Sequence, residues 1–170
     1  MDANHLRERQ RPLKERYRED AETARVPAHA EARLSRDDIA CTLPGWAGEI
    51  TAGLHPAAGG DGSQACSADL LLQALAACAG VTLNSVATAM GVELRDARVV
   101  AEGEWDARGT LGIDRSVPVG MSRIHLRFEL DSDADDQTLE KLVQLSERFC
   151  VIYQTLARPP ELSVEMARAG

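Results

Sequence analysis

From Leu70 to Met90 the chain carries no charged residue. An uncharged run of that length either crosses a bilayer or forms a helix that the rest of a protein packs around. Gln73, Asn84, Ser85 and Thr88 interrupt its apolar character, alanine dilutes it, and no Lys or Arg flanks it closely. It therefore reads as a helix buried in protein, and no membrane role is expected. The ends carry helix signals. Ser67 can serve as N-cap, Asp69 complements the positive end of the helix dipole, and Gly91 suits the left-handed residue that closes a helix. Leu71, Ala74, Leu75, Cys78, Val81, Thr82 and Ser85 follow three-and-four spacing. Cys78 thus shares a face with small residues, and Ala74, Ala77 and Gly80 admit close approach of another element.

The remaining pattern is mixed. Residues 6–24 read as a charged helical arm whose thin stripe of Leu6, Leu13 and Tyr17 is interrupted by Pro12. This segment is either a solvated terminus or an arm lying on a partner subunit. The expected division is an arm over residues 1–26 and one domain over 27–170. Ile39, Cys41 and Leu43 alternate as a half-buried strand does, which makes Cys41 a core residue. "PGWAG" marks a turn, and "HPAAGGDGS" is a loop leading into the long helix. Arg98–Trp105 and Ser122–Leu130 read as strands, the second with Ile124, Leu126, Phe128 and Leu130 on one face and a polar opposite face. The connection between them resembles a hairpin arm. A second helix is predicted over 135–149, with Leu139, Leu142, Val143, Ser146, Phe149 and Cys150 on one side. "ARPP" stops a short helix after it, and "ELSVEM" alternates as a closing strand with Leu162, Val164 and Met166 inward.

Only 4% of the residues are aromatic while 44% are hydrophobic, so alanine and leucine must supply the core, with close packing or subunit pairing completing it. The net charge of -8 disfavours nucleic acid, whose phosphates need a basic surface. The charged N-terminus lacks the apolar region of a secretory signal, so a cytoplasmic location is expected. In that reducing setting Cys41, Cys66, Cys78 and Cys150 are more often free, catalytic or metal-bound than bridged. No CxxC pair is present, and His5, His29, His55 and His125 form no ligand-spacing motif, so neither a zinc ribbon nor another metal site is expected.

Two inward cysteines on two helices suit one reaction in particular. A thiolate attacks a peroxide oxygen and becomes a sulfenic acid, and a second thiol condenses with it to a disulfide. The first must be ionised by a cation or a helix end. The second must lie within bonding reach. The competing reading of each cysteine is that of a small buried hydrophobe.

"CSADLLLQALAACAGVTL" (Cys66–Leu83) and "SERFCVIYQTL" (Ser146–Leu156) together resemble the two motifs of the OsmC/Ohr superfamily of osmotically inducible and organic hydroperoxide resistance proteins. The resemblance spans about residues 30–168. It implies an α+β fold with two long central helices packed against antiparallel sheets, in an intertwined homodimer with its active sites at the subunit interface. It implies reduction of organic hydroperoxides, with Cys78 as the peroxidatic thiol and Cys150 as the resolving thiol. Re-reduction would come from an external dithiol, often a lipoyl group, with no bound cofactor.

One departure from the family pattern stands out. Peroxidase members carry Pro-Glu just before the helix, and that glutamate holds an arginine over the sulfur; here the positions are Ser67 and Ala68. Asp69 is adjacent but turned about 100° away on a helix. Arg33 and Arg36 are the candidates for the arginine. Glu147 either pairs with Arg148 or orients Cys150. Cys66, before the helix start, is a further candidate for the redox pair or a loop thiol packed under the helix. Two alternatives to a peroxidase therefore stand: a non-catalytic dimer that binds an apolar ligand or senses oxidants, and a thiol redox protein using Cys66 with Cys78.

Overall fold

The computed structural model describes residues 2–168. Its elements are helix α1 (Ala3–Glu19), strands β1 (Arg33–Leu34), β2 (Ala40–Leu43), β3 (Ile50–Gly53) and β4 (Ala65–Cys66), helix α2 (Ser67–Met90), strand β5 (Asp96–Glu104), the short helix α3 (Ala107–Thr110), strand β6 (Arg123–Asp131), and helices α4 (Asp136–Phe149) and α5 (Val151–Ala157). This is the expected α+β architecture.

Helix α2 is the axis. Leu75, Ala79, Leu83 and Ala87, spaced four apart, are its buried residues. They pack in two clusters. One joins Leu75, Ala79 and Cys150 with Val99, Ala101, Ile124, Leu126 and Phe128 of the β5–β6 ribbon; the other joins Leu83, Ala87 and Leu142 with Met90, Leu130 and Leu139. β5 and β6 pair antiparallel over nine residues, from Asp96↔Asp131 to Glu104↔Arg123. Their alternation turns one face to α2 and leaves Arg98–Glu129 and Arg123–Glu104 as ion pairs on the other. The first four strands form a second, small sheet in the order β1-β2-β3-β4, antiparallel except for the β3–β4 pair. Among the described residues α2 is the one helix long and apolar enough to cross a membrane, but here its buried side is the protein core.

Several local expectations are corrected. The N-cap of α2 is Cys66, not Ser67, because β4 stays paired with β3 through Gly53↔Cys66 and the chain is still extended there. Gly91 closes the helix at φ 70°, a left-handed conformation that glycine adopts without a Cβ penalty. α1 runs through Pro12 without a break, because the one carbonyl that the proline leaves unbonded sits on an exposed helix where water can serve it. The stripe predicted to be inward on α2 is rotated: Leu71, Ala74 and Val81 are exposed, Val81 by 74%. Phe149 is exposed as well, and Cys41 is only half-buried. Residues 161–168 form no strand, and Leu162, Val164 and Met166 stand in solvent, because no sheet edge within the chain lies beside them.

Candidate functional site

The chain brings Cys78 and Cys150 together. Cys78 lies near the middle of α2, half-buried, against the cluster of Leu75, Ala79 and Cys150. Cys150 is the single residue between α4 and α5, with extended backbone (φ -75°, ψ 109°), and it is completely buried. It ends one helix and begins the next. Its N–H donates to the Ser146 carbonyl at 3.0 Å, and its carbonyl accepts from the Gln154 N–H at 3.0 Å. The side chain caps α5, with Sγ accepting from the Tyr153 N–H at 3.4 Å. This break turns the first amides of α5 toward α2.

Cys78 and Ile152 both pack against the cluster that holds Cys150. Burial pushes the Cys78 thiol toward the neutral form. The Ile152 N–H, the Cys150 thiol, the Val151 N–H and the Thr82 hydroxyl favour the thiolate and outweigh it, so its pKa lies below the ordinary thiol value. Cys150 goes the other way. Burial raises its pKa, the Tyr153 N–H opposes that, and the neighbouring Cys78 sulfur adds to the rise. The pair is thus divided into an ionisable, partly accessible thiol and a buried thiol that keeps its proton and donates toward the first. Both are free, unbridged thiols.

A cleft of about 470 Å³ opens beside this junction, lined by Arg148, Phe149, Cys150, Val151, Gln154, Thr155, Arg158 and Pro160. Behind Cys150, burial, and after it the negative charge of Glu147, raise the pKa of Tyr153. Glu147 also fixes the start of α5 through its backbone carbonyl, to which Gln154 Nε2 donates at 3.0 Å. Its contact is therefore with α5 residues rather than with the Cys150 sulfur itself.

The other candidates lie apart. Cys66 caps α2, twelve residues before Cys78; at about 1.5 Å of rise per residue the two are roughly 18 Å apart, beyond the reach of a disulfide within one chain. Its side chain makes no capping hydrogen bond. Asp69 is exposed in the first turn of α2. Arg33, on β1, is exposed and paired with Glu31 at 2.9 Å, and Arg36 is exposed in the bend after it. The groups that act most strongly on Cys78 are all uncharged. Sequence reasoning did not assign Thr82, Tyr153 or the Val151 and Ile152 amides. Thr82 stands four residues from Cys78, a spacing that puts two side chains side by side on a helix. The end of the second helix at Phe149 and a short helix after it were expected, but backbone amides carry no residue-type signal of their own.

No curated protein matches this sequence. Among solved structures, the chain is similar to the OsmC-like protein from Mycoplasma pneumoniae, with a TM-score of 0.66 and 21% identity over 79% of this chain and 89% of that one. It is similar to an organic hydroperoxide resistance protein OsmC from Legionella pneumophila, with a TM-score of 0.60 and 14% identity over 79% and 93% of the two chains. It is also similar to the organic hydroperoxide resistance protein OhrB of Bacillus subtilis, with a TM-score of 0.51 and 23% identity over 79% and 92%. These likenesses establish the fold. The sequence matches the family described as OsmC-like protein over residues 60–165, which holds both cysteines, α2 and the β5–β6 ribbon; the chain belongs to that family.

Proposed function

We propose that this chain is a thiol-dependent peroxidase that reduces organic hydroperoxides through Cys78 and Cys150. The observation that carries the reading is the division of the pair: an acidified thiol with partial access, touching a buried thiol that stays protonated. The Cys78 thiolate attacks the terminal oxygen of R–O–O–H. An S–O bond forms, the O–O bond breaks, and the alkoxide leaves as the alcohol after taking a proton. The Cys150 sulfur then attacks the sulfenic sulfur, an S–S bond forms, and the hydroxyl departs as water. An external dithiol, of which a lipoyl group is one form, reduces the disulfide by exchange and is itself oxidised. Such a cycle belongs in the reducing cytoplasm. Family likeness supports the substrate class: two of the structural neighbours described above are named for organic hydroperoxide resistance.

The working unit in this reading is a homodimer. A compact 18.4 kDa monomer exposes roughly 8,200 Å² by the usual size scaling, whereas this chain exposes 13379 Å². Much of the excess is apolar, including Leu71, Val81, Phe149 and Val151 around the thiols and Leu162, Val164 and Met166 at the end of the chain.

The test is to add cumene hydroperoxide to the reduced protein, count thiols and map the bridge by mass. Rapid loss of two thiols as a Cys78–Cys150 disulfide, abolished by Cys78→Ser, is expected. Loss no faster than that of free cysteine would overturn the reading and leave the non-catalytic dimer, which the absence of the Pro-Glu pair favours.

A further inference from the structure

Helix α1 carries a charge pattern that the thiol chemistry does not use. Ala3, Leu6, Gln10 and Tyr17 are its half-buried residues, and the helix packs on α2, so its rotation is fixed. Around that rotation the charges sort by flank. Arg7, Arg11, Lys14 and Arg18 recur at steps of four, three and four residues. Such steps keep them within about 60° of one another on the circumference and spread them over roughly 16 Å of the axis. Glu8, Glu15 and Glu19 take the outward side, and Arg9 and Arg16 the opposite flank. All four residues of the basic row are exposed. Among the described residues, none of the six basic residues of α1 meets a carboxylate, whereas seven arginines from Arg25 to Arg127 do.

We propose that the row of Arg7, Arg11, Lys14 and Arg18 is a rim of the subunit interface and docks on the acidic body of a second copy of this chain. Charge complementarity selects that occupant. α1 holds six basic and three acidic residues, a net +3 in a chain of net -8, so the remainder carries -11. A second copy therefore offers carboxylates in excess, while those of the same chain leave the row unpaired. Position agrees with charge. The row flanks the side of α1 that packs on α2, and α2 leaves Leu71 and Val81 bare. Those residues belong to the apolar face assigned above to a partner, and interfaces surround such a face with a polar rim. The inference rests on the homodimer reading and is independent of the peroxide step.

Other polyanions fit less well. A nucleic acid or an anionic bilayer presents one sign over its whole surface. Approaching along the row, it would meet Glu8 and Glu15 beside the cations and the net -11 of the body behind them. A helix that lies in a membrane buries its apolar face there. On α1 that side, with Leu6 and Tyr17, is the one already half-buried.

The experiment is the dimer dissociation constant of the reduced full-length protein, by sedimentation equilibrium at low salt and at about 1 M salt, where screening shortens to roughly 3 Å. Arg11→Gln with Arg18→Gln is compared with Arg9→Gln with Arg16→Gln. Both pairs remove two positive charges from one helix, and glutamine matches arginine as a helix former, so circular dichroism is expected to stay unchanged. At low salt the first pair is expected to weaken the dimer roughly two- to thirty-fold, the range for two exposed ion pairs, and the second pair less than about two-fold. High salt is expected to bring both variants and wild type together. If dissociation is too tight for sedimentation, subunit exchange between labelled dimers gives the same ranking, fastest in the first pair. Equal weakening by both pairs overturns the proposal, since net charge alone then sets the constant. A constant indifferent to the first pair overturns it too, and leaves the homodimer standing without this rim. Wild type that stays monomeric at every concentration defeats the homodimer reading and the inference with it. Phosphatidylserine vesicles and a single-stranded oligonucleotide are tested in parallel. Capture by either that the first pair abolishes, with the dimer constant unmoved, assigns the row to an outside polyanion and overturns the proposal.

Discussion

From Ser67 to Ala157 the chain fully buries Leu75, Ala79, Leu83, Ala87, Leu142, Ser146 and Cys150; from Asp2 to Cys66 it fully buries only Ala52. The two regions differ in reach as well as in burial. The body has a 24-residue helix and a nine-residue ribbon that cover each other. The first third has strands of two to four residues in a small sheet, and it leaves Leu34 and Ile39 72–82% exposed. One region is finished within a single chain. The other is paired strand to strand but leaves apolar side chains uncovered within the chain. The candidate site lies in the finished part, yet its surroundings, Phe149 and Val151, are open like the unfinished part. Thiol chemistry is therefore set by contacts within the chain, while access to it is set by whatever covers those residues.

The largest expected effect separates the two regions by stability. Leu142→Ala empties a site with no solvent exposure and is expected to cost about 2–5 kcal/mol in urea unfolding. Leu34→Ala, measured in dilute protein, is expected to stay within about 0.5 kcal/mol, as an exposed position should. Repeating Leu34→Ala at high protein concentration sharpens the contrast: a partner over the first sheet makes the cost grow with concentration. A concentration-independent cost would mean that this sheet stays bare. Hydrogen exchange supplies a smaller effect of the same kind. On dilution, the β1–β4 amides are expected to lose protection before those of α2 and the ribbon, and simultaneous loss would mean one cooperative unit.

Legibility followed the same boundary. α2, the ribbon and α4 were readable because each presents a long period to a neighbour within the chain, and burial then selects the residues that the pattern marks. Even there, the face of α2 was read as Leu71, Ala74, Leu75, Cys78, Val81, Thr82 and Ser85, whereas the chain buries Leu75, Ala79, Leu83 and Ala87, so that only Leu75 is common to both. Both stripes are apolar, and sequence cannot say which faces the chain's own core. The closing strand failed for a related reason: the alternation of Leu162, Val164 and Met166 is real, but alternation specifies a face and not a partner. Both cysteines were legible from their motifs. The end of α4 at Phe149 and the short helix after it were legible too, whereas the capping of α5 by the Cys150 side chain was not.

The thiols allow a finer comparison inside the body. Cys78 has its pKa lowered and Cys150 has its pKa raised, each mainly through a balance of burial against α5 amides and the other sulfur. As pH rises, Cys78 is expected to alkylate first, and Cys150 only at a pH where the protein begins to open. The linkage follows. Cys78 favours the folded state increasingly as pH rises toward the ordinary thiol value, and Cys150 disfavours it as pH rises beyond that value. Stability is therefore expected to rise toward the ordinary thiol value and to fall above it, while site-resolved alkylation separates the two residues clearly. Equal rates at both would mean that the division of labour does not exist in solution.

The connection between β5 and β6 gives the smallest effect and the cleanest sign. By position it belongs to the body, but Leu111, Ile113 and Val119 are exposed as in the first third, so little apolar burial holds it. Polar ties at its start do. The Asp106 carboxylate accepts from the Arg108 backbone N–H at 2.9 Å and pairs with the guanidinium at 2.6 Å. The guanidinium first, and then that backbone N–H, lower its pKa to about 2. A carboxyl with a depressed folded pKa stabilises the structure above its unfolded pKa and loses that contribution as pH falls. Order at residues 106–114 is therefore expected to fade between about pH 4 and pH 2, read from the carboxyl and amide resonances of this segment. Asp106→Asn is expected to remove that transition while leaving the urea midpoint at neutral pH in place, since the tie is exposed and local. If the midpoint moved with it, the connection would belong energetically to the finished region, and the boundary drawn from burial would have to include it.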